Sequence, residues 1–218
     1  MFNPLTPKLP TDPLTGYLSA WPHRSIVASK HSSLRQPTSA SEELMVVRSG
    51  VVAEIRMAGG VREILALRFP GETILPKPGG VSHVLALVSS VVIMMALSDM
   101  PDSASDFLDH FLLRMAQREA SILDEWMIVR GIRDAVSRVA HLLCEFAYRR
   151  EQAVPEAGFQ WPLTQPQIAD ITGQTAVNVN RCLADLEDAG MILRGRPIVL
   201  RDFRGLAEKA QFDPGYLR

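Results

Sequence analysis

The chain has 218 residues, enough for one large domain or two modest ones. With 47% hydrophobic and 22% charged residues it is a folded globular protein, and disorder is excluded. The net charge of −1 excludes nucleic-acid binding by bulk positive charge, so any such contact must rest on a local arrangement of side chains.

Met1–Pro13 is broken by Pro4, Pro7, Pro10 and Pro13 and is expected to be a flexible arm. No basic stretch followed by an apolar core opens the chain, so no signal peptide is expected. Leu14–Trp21 predicts a short helix stopped by Pro22, and Ile26–Ala40 gives weak signals only. From Glu43 the pattern becomes strand-like. Leu44–Val47 ends at the turn Ser49-Gly50. Val51–Met57 and Val61–Phe69 flank Ala58-Gly59-Gly60, a hairpin signal. Turns at Pro70-Gly71 and at Lys77–Gly80 precede Val81–Val88 and Val91–Leu97. Short strands spaced by Gly/Pro turns predict an antiparallel sandwich or barrel, jelly-roll-like in form. The most apolar run, Val84–Leu97, spans about 14 residues and is broken at Ser89-Ser90. A membrane span needs roughly 20, so this run is read as two buried strands.

After Pro101 the period changes to that of a helix, with Ser103 or Ser105 as its cap. Leu108, Leu112, Met115, Ile122, Trp126 and Val129 follow alternating steps of four and three, interrupted by Glu119. That spacing is a coiled-coil seam, and a long helix with such a seam predicts a homodimer. Gly131 predicts a bend. Ile132–Arg150 predicts a second helix, and Val154–Gln160 a loop.

Trp161–Ile192 predicts two short helices joined by a turn. Thr164 and Gln167 have capping-box spacing, and Pro166 is tolerated in a first turn. Ile168, Ala169 and Ile171 are expected inside, Gly173 at the turn, Thr175 as the next cap, and Val179, Leu183 and Leu186 on the second inner face. Gly190 is placed to end the helix. This leaves Ala176, Val177, Asn178, Asn180 and Arg181 as candidates to meet DNA. The first residues of the second helix of such a pair approach base edges in the major groove. Arg suits guanine, Asn suits adenine, and Val suits the thymine methyl group. Thr164, Gln165 and Thr175, at helix starts, suit phosphate. Met191–Leu193 and Pro197–Leu200 predict a two-stranded wing around Arg194-Gly195-Arg196, whose arginines are candidates for the DNA backbone or minor groove. Asp185, Glu187 and Asp188 make the far end of the second helix acidic, an end expected to point away from DNA.

LTQPQIADITGQTAVNVNRCLADLEDAGMI resembles the helix–turn–helix of the Crp/Fnr family of bacterial transcription regulators. RVAHLLCEFA, VVRSGVV and FPGE resemble other parts of that family, so the likeness runs from about residue 43 to 210. The resemblance implies a cyclic-nucleotide-binding-like barrel, a dimer helix and a winged helix–turn–helix. Family members often place Arg-Glu after the second helix's cap, where this chain has Ala176-Val177; Arg181 stands at the family's later arginine. A base preference different from the family's common half-site is therefore expected. Cyclic-nucleotide binders of the family carry Gly-Glu and Arg-Ser where this chain has Leu75-Pro76-Lys77 and Ser82-His83. A phosphate lacking its arginine loses a charge-assisted partner. The barrel thus reads as a degenerate sensor that does not bind cyclic nucleotide.

Cys144 and Cys182 give no disulfide framework and point to a reducing cytoplasm. They cannot supply the four ligands of an iron–sulfur cluster, and both are expected to be buried. His23, His31, His83, His110 and His141 show no metal spacing, and no catalytic pair stands out. No metal, no cofactor and no enzymatic activity are expected. The expectation is an α+β chain: arm 1–13, β-barrel 14–100, dimerisation helix 101–131 and winged helix–turn–helix 132–218. It is read as a homodimeric regulator bound to double-stranded DNA, with an unidentified effector or RNA polymerase as a further partner and no membrane. The alternative is a small-molecule- or protein-binding module whose winged domain is only an interaction surface.

Overall fold

Strand β8 (Ser90–Ala96) explains the most apolar stretch of the chain. Its side chains alternate between two cores: Val92 and Met94 enter one, Ile93 and Met95 the other. Strand β3 (Glu43–Ser49) pairs with it and does the same, with Met45 and Val47 on one face and Leu44 and Val46 on the opposite face. A strand buried on both faces reads as a continuous hydrophobic run.

This computed structural model describes residues 21–35, 43–76, 83–102, 105–150, 161, 163–195 and 198–217. The expected arm, the loop 154–160, Ser103 and all of the expected helix 14–21 except Trp21 lie outside them. The chain divides into two compact units between Glu119 and Ala120.

In the first unit, one antiparallel sheet has the order β1-β8-β3-β6, with β1 at His23–Ala28 and β6 at Thr73–Ile74. The other has the order β2-β7-β4-β5: β2 Ser33–Arg35, β4 Val52–Ala58, β5 Val61–Arg68 and β7 His83–Ala86. Strand β2 and the second half of β1 fall in the stretch Ile26–Ala40, where the sequence signals were weak. The expected barrel is not closed: among the described residues no ladder joins an edge of one sheet to the other. The chain switches sheets at Ser49-Gly50, Pro70-Gly71 and 87–89, so hydrogen bonding completes within each sheet and not around a ring. Gly50 (φ +88°) is needed at its crossing, because a Cβ there would lie 2.6 Å from the Ser89 carbonyl oxygen.

The two sheets enclose Met45, Val47, Val52, Ile74, Val84, Val92 and Met94. The outer face of the β1-β8-β3-β6 sheet is covered by helix α1 (Ser105–Ile132), through Leu108 and Phe111. Trp21 joins that second core and donates from Nε1 to the Ala96 carbonyl at 2.9 Å. Each such side chain removed from water contributes about 1.5–3 kcal/mol.

Charge also lies inside this unit. Glu54 shares the inner face of β4 with Val52 and is fully buried. Arg68, diagonal to it across the β4–β5 ladder, donates from Nε to Glu54 Oε1 at 2.7 Å. Its Nη2 also lies 3.0 Å from Glu119 on α1. The preceding residue, Arg118, meets Glu72 at 3.0 Å, and Glu72 accepts from the Phe69 amide at 3.1 Å. Burial works against the Arg68 charge, but Glu54, Glu119 and Glu72 outweigh it and hold its pKa above the usual value. Glu119, the polar interruption in the apolar pattern, is the helix's ionic link to the strands.

The seam expected for dimerisation needs correction. Leu108 is buried in the second core, and Leu112 and Met115 pack against it. Ile122 and Val129 are also buried, and Trp126 meets His141 edge-on at 5.5 Å. That stripe faces the chain's own units, because α1 carries apolar residues on two faces. The exposed stripe is Leu113, Ala116, Ala120, Leu123 and Met127.

In the second unit, the helix break falls at Arg133-Asp134 and not at Gly131, which stays helical. Asp134 accepts from the Ser137 amide at 2.9 Å and caps α2 (Ala135–Arg149). Helix α2 packs on α3 (Gln165–Thr172), α4 (Ala176–Asp188) and α5 (Phe203–Ala210). Strands β9 (Ile192–Leu193) and β10 (Val199–Leu200) form a two-stranded antiparallel sheet between α4 and α5. Among the described residues no helix is long and apolar enough to cross a membrane.

Arg68→Met strands two carboxylates beside β5 and is expected to destabilise the protein by about 3–5 kcal/mol. Adding Glu54→Leu restores part of the loss. The midpoint of urea unfolding checks both; an unchanged midpoint for Arg68→Met contradicts the assigned role of the network.

Candidate nucleic-acid interface

Helices α3 and α4 are set by their caps. Thr164 Oγ1 accepts from the Gln167 amide at 3.4 Å, and Gln167 Oε1 accepts from the Thr164 amide at 2.8 Å, which completes the expected capping box. Gly173 ends α3 at φ +65°, a left-handed conformation in which a Cβ would lie 3.1 Å from Arg130 Nε. Thr175 accepts from the Asn178 amide at 3.2 Å and starts α4. Gly190 follows α4 at φ +74°.

One face of α4 is buried through Val179, Leu183 and Leu186, as expected, and through Cys182. This inner face fixes the rotation of the helix. Val177, Asn180 and Arg181 are exposed, while Ala176 and Asn178 are partly covered. Thr164 and Gln165, at the start of α3, are exposed and lie toward α4: Gln165 Nε2 donates to Asn180 Oδ1 at 3.2 Å. The structure therefore brings Gln165, Val177, Asn180 and Arg181 to the same side of the unit.

Gln174 was not singled out in the sequence. It accepts from Asn178 Nδ2 at 2.9 Å and donates to the Ala135 carbonyl at 3.0 Å, tying the turn to the start of α2. Arg138 adds a bond to the Thr172 carbonyl at 3.1 Å. Both act on backbone far away in sequence, so no local pattern announces them.

The wing is less free than its sequence suggests. Arg194 Nε donates to Glu187 Oε2 at 2.6 Å, and its amide donates to Glu187 Oε1 at 2.8 Å. These bonds hold the Glu187 carboxyl below its usual range. The acidic end of α4 thus binds the arginine expected at DNA. Arg196 lies outside the described residues.

A polar cluster supports α2 from behind. His141 is fully buried and stacks with Tyr216. Arg133 donates to its Nδ1 at 2.9 Å, and its Nε2 lies 3.1 Å from the Tyr216 hydroxyl, which donates to Glu145 at 2.8 Å. Arg133 also donates to the Ala210 carbonyl and to Glu125 at 2.9 Å. This pattern requires a neutral imidazole with its proton on Nε2. Burial, reinforced by the Arg133 charge, lowers the His141 pKa to about 3. Burial raises the thiols of Cys144 and Cys182, as befits packing residues, and Cys182 Sγ lies 3.7 Å from Gln174 Oε1. Among the described residues no group of His, Cys, Asp and Glu is arranged to hold a metal ion.

Residues 137–209 match the Crp-like helix-turn-helix domain. The chain is 36% identical over 110 residues to the transcriptional activator protein FnrL of Cereibacter sphaeroides, a match that covers 47% of this chain and 44% of that protein. It is 34% identical over 97 residues to a probable transcriptional activator of Rhizobium leguminosarum bv. viciae, covering 44% and 40%. The matched stretch thus spans less than half the length of these relatives. The fold is that of FixK2 from Bradyrhizobium japonicum, at TM-score 0.75 and 23% identity over 86% of this chain and 96% of that one. It is also that of CooA from Carboxydothermus hydrogenoformans, at 0.73 and 19% over 94% and 97%.

Two outcomes follow from this unit. Thr175→Ala removes the cap of α4 and is expected to cost about 1 kcal/mol in unfolding experiments. His141 is neutral when folded and protonates near 6.5 when unfolded, so its contribution is present above that pH and is lost as pH falls toward about 3. From pH 6.5 to about pH 5 the wild type should lose roughly 1.5 kcal/mol more stability than His141→Gln. Parallel pH profiles would refute the buried neutral imidazole.

Proposed function

We propose that the chain is a member of the Crp/Fnr family of regulators and, on that premise, a homodimeric, sequence-specific DNA-binding transcription regulator, a reading supported by the match to the Crp-like helix–turn–helix domain. One observation carries the reading. Helix α4 buries one face completely and leaves Val177, Asn180 and Arg181 exposed near its N-terminus. In a helix–turn–helix that end of the second helix enters the major groove. Arg181 donates to guanine there. Thr164, Gln165, Thr175, Ala176 and Asn178 line the approach, where amides and hydroxyls suit phosphate. Arg194 and Arg196 serve the backbone from the wing, Arg194 by exchanging Glu187 for phosphate.

The division of labour is a sandwich (14–100), a dimer helix (101–131) and a DNA-binding domain (132–218), preceded by an arm (1–13). Dimerisation uses the exposed stripe of α1. Leu113, Ala116, Ala120, Leu123 and Met127 are spaced by steps of three, four, three and four, the spacing of a coiled-coil seam. Ile128 and Ile132 are exposed beside it. Small residues at two of these positions let two helices approach closely.

The sandwich does not bind cyclic nucleotide in this reading. Its buried arginine, Arg68, is already matched by Glu54 and Glu119, and Arg118 by Glu72. An incoming phosphate would meet three carboxylates. RNA polymerase or an effector of other chemistry is the remaining partner, and the cytoplasm the compartment. The relatives are a transcriptional activator and a probable transcriptional activator, and no catalytic role is proposed.

The test is a binding titration on selected duplex DNA at varied salt. Affinity should fall steeply and linearly on logarithmic axes, and Arg181→Ala should weaken binding to the selected site roughly tenfold or more. Leu123→Asp should give a monomer in sedimentation. Salt-independent affinity unchanged in Arg181→Ala would overturn the DNA reading, and a dimeric Leu123→Asp would overturn the seam.

A further inference from the structure

The first turn of α4 exposes an apolar side chain where solvent favours a polar one. Val177 is 82% exposed, and among the described residues no large hydrophobic side chain is more so. Two residues on, Val179 is fully buried, so the exposure comes from the way α4 is rotated and not from a loosely packed helix. The polar neighbours of Val177 each bond a protein side chain. Asn178 donates to Gln174 at 2.9 Å, and Asn180 Oδ1 accepts from Gln165 Nε2 at 3.2 Å. Bidentate pairing with adenine needs both the oxygen and the nitrogen of an asparagine side chain. By accepting from Gln165, Asn180 also braces α3 against α4.

Val177 and Arg181 are both exposed and lie one turn apart on one face. In the major groove the apolar feature of a base edge is the 5-methyl group of thymine. Valine holds essentially one rotamer in a helix, so its methyl groups are presented in a fixed direction.

We propose that Val177 is a specificity-determining residue that packs on the 5-methyl group of one thymine in each half-site. The proposal rests on the DNA-binding reading above. Residues four apart on a helix are separated by about 6 Å along its axis, or about two base steps of 3.4 Å. The thymine therefore lies within about two base pairs of the guanine met by Arg181.

The experiment takes the full chain and a duplex obtained by selection from random DNA. Each thymine of a half-site is replaced in turn by deoxyuridine, which removes the methyl group alone. For the wild type, one replacement per half-site should weaken binding about fourfold, the effect of one buried methyl group. Val177→Ala should lose that sensitivity and keep the others unchanged. Val177 is exposed, so this variant removes no core contact, and the melting curve confirms its folding. Wild-type binding indifferent to deoxyuridine at every thymine overturns the proposal, as does Val177→Ala that keeps the wild-type sensitivity. Failure of both proteins to bind any duplex overturns the regulator reading and this proposal with it, an outcome distinct from binding that ignores the methyl group.

Discussion

Helix α1 carries apolar residues on two faces, and among the described residues one of them is buried and the other exposed. The inner stripe is taken by the chain itself: Leu108 and Phe111 close the outer face of a sheet, and Ile122 and Val129 are buried. The outer stripe, through Leu123 and Met127, is left in water. Exposing a long apolar seam is unfavourable by the same physics that forms the core. In the proposed dimer a second copy covers it, because an identical stripe matches by symmetry. Two copies of α4 would then act together on one duplex.

That pairing bears on how DNA is held. The chain has no surplus of positive charge, and much of its arginine is committed internally. Arg68 and Arg118 face carboxylates within the first unit, Arg133 supports His141, and Arg194 is held by Glu187. What remains at the start of α4 is a short set of groups. In the proposed dimer, doubling them through α1 would convert a single contact into a bivalent one without any new contact.

Much of the DNA-binding unit was legible in the sequence because its signals are local. The capping box at Thr164, the cap at Thr175 and the glycines at 173 and 190 act over three or four residues, and the structure contains each of them. The continuous run ending at Leu97 was legible as strand because it is too short for a membrane. The sheet pairing was not: which strands share a sheet depends on contacts far apart in the chain, and the expected barrel resolves into two sheets. The inner seam of α1 was visible as spacing, but spacing does not say what covers it. Glu119 looked like a flaw in that seam until Arg68, distant in sequence, supplied its reason. At the candidate site, the Gln165–Asn180 and Glu187–Arg194 bonds depend on how two elements lie against each other, which no single segment encodes.

The most direct test is methylation interference at guanine N7, an atom of the major groove, on a selected duplex, with the number of bound chains measured by sedimentation. Two chains per duplex are predicted, with interference at one guanine in each half-site and the two half-sites centred about one helical turn, or a whole number of turns, apart. A single bound chain, or binding insensitive to major-groove methylation, would contradict the account.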